Sequence, residues 1–573
     1  MGGVFRKHTA VLCWLLLALW AALFYHGIAL SDEYLYAFNA REWLNGHWPQ
    51  TPSPFAHRIG FVWPLAVVMY LFGGAPRLLI LPAGLAFVWL VWSVVRAGRS
   101  SGAGDLLSRS FPAAAGLLAL NPALLYHAAD VSHDMLMVAP ATAAVMMLWK
   151  QRQGASGALF SLLLFWAFLS KESVVYLLPF LLWFFAQSLR SEAGGSSDAW
   201  RPDSALPGRF WLWAIGTGVF LGLLYLGMYA WWKGDPLYRF AGMAEHNLGP
   251  YSYHGKSLSE KLLRLSIYPF VFLLRSPGFG VLLVPVLGVL AEPGLRRQLW
   301  SKARFFVVWF FSLLAMHWFG SSSLQEWNPL TLDERMWLLL LPPLSLLAAQ
   351  SEGLLRADFH TSQGRRFRLL LLWWVLFLAG LAGPAAYPEK LAGLWAVSLT
   401  ALGYLLLTYG HSGFGEKLPK AGQWLWRGLT RPYFVLAFPL LLAALWSLVS
   451  LKRNDTFSRE RALLQQLVAS EEGVGREGKI LIITDSLLVD KPLAHFDFDS
   501  SRMEAVEWAY WGDFPQGYSP VMNGKLKGRK AYLLYTPRRV DLIRAFFHRS
   551  PPAWVEERLR QAAVREAVVL IAL

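Results

Sequence analysis

The sequence predicts an all-α polytopic membrane protein that ends in a small α/β domain, and three observations predict it. Of 573 residues, 55% are hydrophobic and 16% are charged, with a mean hydropathy of +0.38, which is too apolar for a water-soluble chain of this length. Apolar runs of spanning or near-spanning length recur from Val11 to Leu451. After Leu451 the chain turns charge-rich and its apolar residues fall into short β-like runs. The expected domains are 1–451 in the membrane and 452–573 as a soluble α/β domain.

In chain order the apolar runs are Val11–Leu30, Leu78–Val95, Phe111–Tyr126, Met135–Trp149, Ala158–Leu169, Val174–Phe185, Phe210–Trp232, Ile267–Leu290, Phe305–Phe319, Met336–Ala349, Leu369–Tyr387, Leu391–Tyr409 and Pro432–Leu451. They predict about thirteen transmembrane helices, several of them short for a full span. Arg6-Lys7 before the first run imitates a signal peptide. That run is long and has no small-residue cleavage site, so a retained helix is expected. Ile59–Gly73 has the length of an interfacial or re-entrant segment and is read as not crossing.

With that choice, 22 of the 53 Lys and Arg residues share the side of Arg6 and Lys7, 12 lie on the other side or at helix edges, and 19 follow Leu451. The positive-inside rule makes the first side cytoplasmic. The opposite face then carries Ser31–Arg77, Ala128–Asp134, Ser170–Glu172, Lys233–Ser266, Gly320–Arg335 and the tail. The expected location is a bacterial inner membrane, with the active site and the C-terminal domain on the extracytoplasmic face.

Asp32 and Glu33 suit the first turn of an outer helix that Ser31 would cap. Tyr36, Ala40, Trp43 and Leu44 recur at helical spacing until Asn45-Gly46 and Pro49 end it, the pattern of an amphipathic helix on the bilayer. In the tail, Lys479–Thr484, Ala531–Thr536 and Ala567–Ala572 read as strands, and Arg538–His548 and Ala553–Val564 as helices. Ala193–Pro207 reads as a cytoplasmic linker.

The formal charge of +16 and the pI near 9.8 come from dispersed residues in short connectors, so no nucleic-acid partner is expected. Cys13 is the only cysteine, which excludes an intrachain disulfide and a cysteine zinc site. No Walker loop, nucleophile elbow or dinucleotide-binding glycine fingerprint stands at a strand-to-helix junction. His57, His133 and Asp134 do not define a metal-ligand spacing, so no metal ligand is assigned; the sequence requires no cofactor and leaves a divalent metal open.

Candidate chemistry lies on the outer face. A carboxylate at the membrane boundary, Asp32 or Glu33, has a pKa open to tuning by desolvation and cations and suits a general base; the alternative is a solvated pair that favours its helix N-terminus. Asp134 follows His133 at the entry of an apolar run, as a site residue or as a helix cap. Ser170-Lys171-Glu172 interrupts two apolar runs, and a charge there is costly and functional by default. Lys171 would contact a phosphate, or else pair with Glu172 across a hairpin turn. Arg58 after His57, and Arg335 in Asp333-Glu334-Arg335-Met336, stand at outer helix edges as phosphate ligands or as snorkelling cations. Tyr34, Tyr253 and His254 are candidate substrate contacts, the last two in an aromatic surface loop.

These residues together resemble the membrane-integral C-type (GT-C) glycosyltransferases, in the protein O-mannosyltransferase and lipid A aminoarabinose transferase branch. The likeness rests on Asp32-Glu33-Tyr34 after the first span with Ala37, Ala40, Leu44, Gly46 and Pro49, on Trp63-Pro64 to Phe72-Gly73, on Asn121-Pro122 leading to Asp134, on Ser170-Lys171-Glu172 with Pro179, and on Arg335 before Pro342-Pro343. It implies an inverting transfer of a sugar from a polyprenyl-phosphate or polyprenyl-diphosphate donor to an extracytoplasmic acceptor that is a glycan, lipid or protein. Asp32 takes the general-base position, with Glu33 beside it, and Lys171, Arg58 and Arg335 would stabilise the leaving phosphate. The expected partners are that donor, the acceptor and membrane lipids. Where the family often has a Lys- or His-containing Pro-Pro-Leu segment, this chain reads His57-Arg58-Ile59-Gly60-Phe61-Val62-Trp63-Pro64. The alternatives are a lipid or polysaccharide transporter or flippase with Asp32, Asp134 and Lys171 as its polar pathway, and a noncatalytic envelope-assembly protein.

Overall fold

The computed structural model describes residues 23, 25, 32–47, 53–98, 106–150, 156–192, 208–240, 253, 256–322, 327–358, 395–404, 433–453, 456–472, 480–485, 495, 506–511, 531–536, 540, 550–561 and 569–572. The helices in chain order are α1 (Asp32–Leu44), α2 (Pro54–His57), α3 (Ile59–Phe72), α4 (Leu81–Gly98), α5 (Leu106–Ala119), α6 (Pro122–Ala128), α7 (Asp134–Lys150), α8 (Ser156–Ser170), α9 (Leu178–Glu192) and α10 (Gly208–Lys233). They continue as α11 (Leu258–Ser266), α12 (Tyr268–Arg275), α13 (Pro277–Ala291), α14 (Pro293–Phe319), α15 (Glu334–Trp337), α16 (Leu341–Asp358), α17 (Phe434–Arg453), α18 (Thr456–Glu472) and α19 (Ala553–Gln561). Two 3₁₀ segments, Glu172–Leu177 and Leu338–Leu340, run directly into α9 and α16.

Among the described residues, five helical stretches are long and apolar enough to cross a membrane, or six if the bent pair α12 and α13 is one span. Several shorter apolar helices accompany them, including α3, α7 and α8. The expected runs Val11–Leu30 and Leu369–Tyr387 lie outside the described residues, except for position 23 and position 25. Two runs expected to be continuous are broken. Phe111–Tyr126 divides at Asn121-Pro122, where the Asn121 carboxamide oxygen accepts from the N–H groups of Ala123 at 3.1 Å and Leu124 at 3.4 Å and so opens α6. Ile267–Leu290 bends by 103° between α12 and α13 at Ser276-Pro277, because proline supplies no N–H to continue the helix.

The chain forms two compact units, the first comprising 1–23, 51–61 and 82–449 and the second 24–50, 62–81 and 450–573. In the first, α8 packs against α7 and α10, and α16 packs against α5, α13 and α14. The α16 span is almost wholly buried, whereas α10 exposes Leu212, Phe220, Leu223 and Leu224, as a helix facing lipid does. Close backbone approach places Gly60 on the end of α8: a Cβ on Gly60 would stand 2.6 Å from the Ser170 amide nitrogen, and Trp166 Nε1 donates to the Gly60 carbonyl at 3.0 Å.

In the second unit, α1 begins at Asp32, buries Tyr34, Tyr36, Ala37 and Ala40, and ends in a turn whose Gly46 has φ of 76°. At its last turn the Leu44 side chain is exposed. The tail carries a mixed sheet in the order β2-β1-β3-β4, with β1 (Ile480–Thr484) parallel to β2 (Val506–Tyr510) and β3 (Ala531–Tyr535), and β4 (Val569–Ala572) antiparallel to β3. One face packs Leu464, Leu467 and Val468 of α18 on Ile480, Ile482 and Leu534, and the other packs Val555 of α19 with Leu481, Ile483 and Leu533.

Candidate functional site

The first unit gathers charge where α7, α8 and α15 begin or end. Asp134 opens α7 and is fully buried. Its Oδ2 accepts the Ser132 hydroxyl at 2.8 Å, and its own N–H donates to Ser132 Oγ at 3.3 Å. Lys171 Nζ donates to Asp134 Oδ1 and lies 3.3 Å from Met336 Sδ. Arg335 Nε stands 3.8 Å from Asp134 Oδ2, and His133 Nε2 stands 3.6 Å from Oδ1. Asp134 is therefore more than a helix cap: it is the counter-ion of two cations supplied by segments remote in sequence.

The local backbone explains how Lys171 reaches it. α8 ends at Ser170, Lys171 adopts extended angles (φ −158°, ψ 133°), and the 3₁₀ turn starts at Glu172. Adjacent side chains in such a bend leave in different directions. Lys171 goes to Asp134, while Glu172 goes to Arg58 at 3.4 Å and to Arg239 Nε at 2.8 Å. The alternative of a Lys171–Glu172 hairpin pair is thereby corrected. Arg58 and Arg335, which the sequence left between snorkelling and site roles, both stand within 4 Å of a buried carboxylate.

His133 is buried beside Asp134. Loss of hydration holds its imidazole well below the usual range, against the raising effect of Asp134 and with the lowering effects of Arg58, Lys171 and Arg335. His57 is also buried; its Nδ1 shares a hydrogen bond with the Tyr229 hydroxyl at 3.0 Å, and the rings of Tyr229, Trp232 and Tyr238 enclose it at 5.5 to 5.6 Å. The Tyr253 N–H donates to Asn328 Oδ1 at 3.1 Å and its ring lies 6.0 Å from Trp327. His254 lies outside the described residues.

The structure thus brings together five of the residues singled out in the sequence: Arg58, His133, Asp134, Lys171 and Arg335. Asp32, Glu33 and Tyr34 belong to α1 of the second unit, where Asp32 is half-buried, Glu33 is buried, and Tyr34 stacks on Phe38 at 6.0 Å. Sequence reasoning missed Ser132, Glu172 as the partner of two arginines, and above all Arg239. Arg239 is fully buried, in helical backbone at 238–240, yet the sequence around it is already rich in polar residues, where a cation gives no contrast. Among the described residues, no three His, Cys, Asp or Glu side chains gather as a metal site.

No protein-family model and no curated protein sequence matches the chain. Solved structures do. ArnT from Cupriavidus metallidurans in the apo state superposes with a TM-score of 0.54 at 14% identity, covering 95% of each chain. The same protein bound to undecaprenyl phosphate superposes with a TM-score of 0.50 at 15% identity, covering 99% of this chain and 97% of that one. A likeness that runs the length of both chains shows that this protein has the GT-C fold of a multi-pass membrane protein with a small C-terminal α/β domain.

Proposed function

We propose that the protein is a glycosyltransferase that moves a sugar from a polyprenyl-phosphate-linked donor to an extracytoplasmic acceptor, with inversion at the anomeric carbon. The observation that carries this reading is the convergence of Arg58, Lys171 and Arg335 on two buried carboxylates at the ends of membrane helices. A cluster of that kind suits an anionic headgroup whose tail lies in lipid, and ArnT, with the same fold, has been solved with undecaprenyl phosphate bound.

In the proposed step the acceptor hydroxyl or amine attacks the anomeric carbon as Asp32 takes its proton. The bond from that carbon to the donor's phosphate oxygen breaks, and the polyprenyl phosphate leaves with the negative charge. Cations placed beforehand stabilise that charge more than the ground state, which lowers the barrier. Asp134 is poorly suited to be the base, because a carboxylate held by Lys171 and Ser132 keeps little tendency to take a proton. Asp32, at the start of α1 and half-buried, is the base in this reading. In this reading the inner-membrane orientation puts the cytoplasm on the side of the basic connectors.

The test is sugar transfer by the purified protein in lipid nanodiscs, against a panel of polyprenyl-phosphate sugars and acceptors, with and without a chelator. Asp32→Asn is expected to lower turnover by about 10² to 10⁴, the usual contribution of general-base catalysis, with polyprenyl-phosphate binding retained. Translocation of the lipid-linked sugar across vesicles without transfer would overturn the reading in favour of a flippase.

A further inference from the structure

Arg239 is held by several polar contacts at once. Nε donates to Glu172 Oε1 at 2.8 Å, Nη2 donates to the same oxygen and to the Phe168 carbonyl at 3.2 Å, and Nη1 reaches the Tyr225 hydroxyl at 3.4 Å. Its guanidinium also lies over the Phe168 ring, 5.3 Å from the centroid. Glu172 offers its other oxygen, Oε2, to Arg58 Nη2 at 3.4 Å, which is long for a charge-assisted hydrogen bond.

These contacts close a ring through the first unit. Arg58 meets Glu172, Glu172 is held by Arg239, and Arg239 touches Tyr225, whose ring lies 5.0 Å from that of Tyr229. The Tyr229 hydroxyl then bonds Nδ1 of His57, the residue before Arg58. A buried carboxylate needs a counter-charge. With Arg239 supplying it, Glu172 orients Arg58 through a long contact that a phosphate oxygen can replace. Deprived of Arg239, Glu172 would draw Arg58 into a tight pair and withdraw it from the donor.

We propose that Arg239 is a positioning residue for the donor phosphate, acting through Glu172 on Arg58. This rests on the donor class proposed above and adds to it a second layer behind the phosphate ligands.

The test measures binding of farnesyl phosphate, with farnesol as the control, by tryptophan fluorescence of the full chain in nanodiscs. Wild type is expected to prefer the phosphate; Arg239→Gln and Arg58→Gln should each weaken its binding about tenfold, and the double variant should bind no more weakly than either alone. Because Arg239→Gln leaves a buried carboxylate exposed to misfolding, Arg239→Gln/Glu172→Gln supplies an uncharged pair that restores folding. That pair lacks the carboxylate charge that orients Arg58, so it should still bind the phosphate about tenfold more weakly, while Arg239→Lys, which lacks the planar fork, recovers affinity in part. Additive losses in Arg58→Gln/Arg239→Gln, or full affinity in the folded Arg239→Gln/Glu172→Gln variant, would overturn the proposal, as would a wild type indifferent to the phosphate. Phosphate binding with this pattern but no sugar transfer would sink the transferase reading and leave the role of Arg239 standing.

Discussion

Removing the Asp134 carboxylate probes the centre of the cluster. In Asp134→Asn, Lys171 keeps its burial, at 4% exposure, and loses the carboxylate it donates to, retaining Met336 Sδ at 3.3 Å. A thioether is a weak acceptor. Breaking a buried ion pair from one side costs about 3–5 kcal/mol, because the remaining charge stays out of water. Lys171→Met is the unequal partner of this change. It leaves Asp134 with the Ser132 hydroxyl at 2.8 Å and Arg335 at 3.8 Å, so the expected cost is smaller, about 1–3 kcal/mol. Asp134→Leu/Lys171→Met replaces the pair by apolar groups and should recover most of the loss, since such replacements are often neutral. Unfolding of the purified protein in mixed SDS micelles orders the three variants. Asp134→Asn as stable as Lys171→Met, or a double variant that sums both losses, would refute the argument that this pair is a mutual counter-ion.

Other outcomes follow from the same geometry. Gly60→Ala places a Cβ 2.6 Å from the Ser170 amide nitrogen and 2.8 Å from the Leu169 carbonyl carbon, backbone atoms that cannot rotate away; the expected loss is about 1–3 kcal/mol in the same unfolding assay. His133, held below the ordinary imidazole range, stays neutral when folded while the unfolded chain takes up its proton below about pH 6.5. Stability from this residue is therefore present above that pH and lost as pH falls below it, and His133→Asn should flatten a melting-temperature profile between pH 7 and 5. For topology, alkaline phosphatase fused after Arg453 should be active and a fusion within the Arg190–Arg209 linker inactive; the opposite pattern would invert the orientation.

Much of the cluster was legible because charge stands out against apolar sequence. Lys171 interrupts two apolar runs, and Arg58, Asp134 and Arg335 each sit at the edge of one, so rarity alone marked them. Pairing was not legible. Lys171 and Glu172 are neighbours in sequence, but the change from extended backbone to a 3₁₀ turn between them sends one to Asp134 and the other to Arg58 and Arg239. Arg239 was hidden by the polar residues around it, and only its flanking Tyr238 and Phe240 hint at burial. Of the strands, β1, β3 and β4 fall in the runs that predict them. β2 was missed because it is an edge strand carrying the exposed Glu507, with its last three residues half-buried.

Exposure divides the four cations of the cluster by task. The side chains of Arg239 and Lys171 are 1% and 5% exposed, and both donate directly to a carboxylate; those of Arg58 and Arg335 are 15% and 26% exposed and stand 3.4 and 3.8 Å from theirs. Two cations that share one carboxylate repel each other. Asp134 and Glu172 offset that repulsion while the site waits for its ligand. On the proposed function, the inner pair chiefly preserves the arrangement, and the outer pair is the one expected to meet the donor's phosphate first. Arg335→Gln should accordingly weaken polyprenyl-phosphate binding about tenfold or more while shifting stability by less than about 1 kcal/mol, as expected for a partly exposed ion pair. Lys171→Met should lower both. Measured side by side on one preparation, equal stability losses for the two variants, or intact lipid binding in Arg335→Gln, would show that exposure does not sort these residues by role.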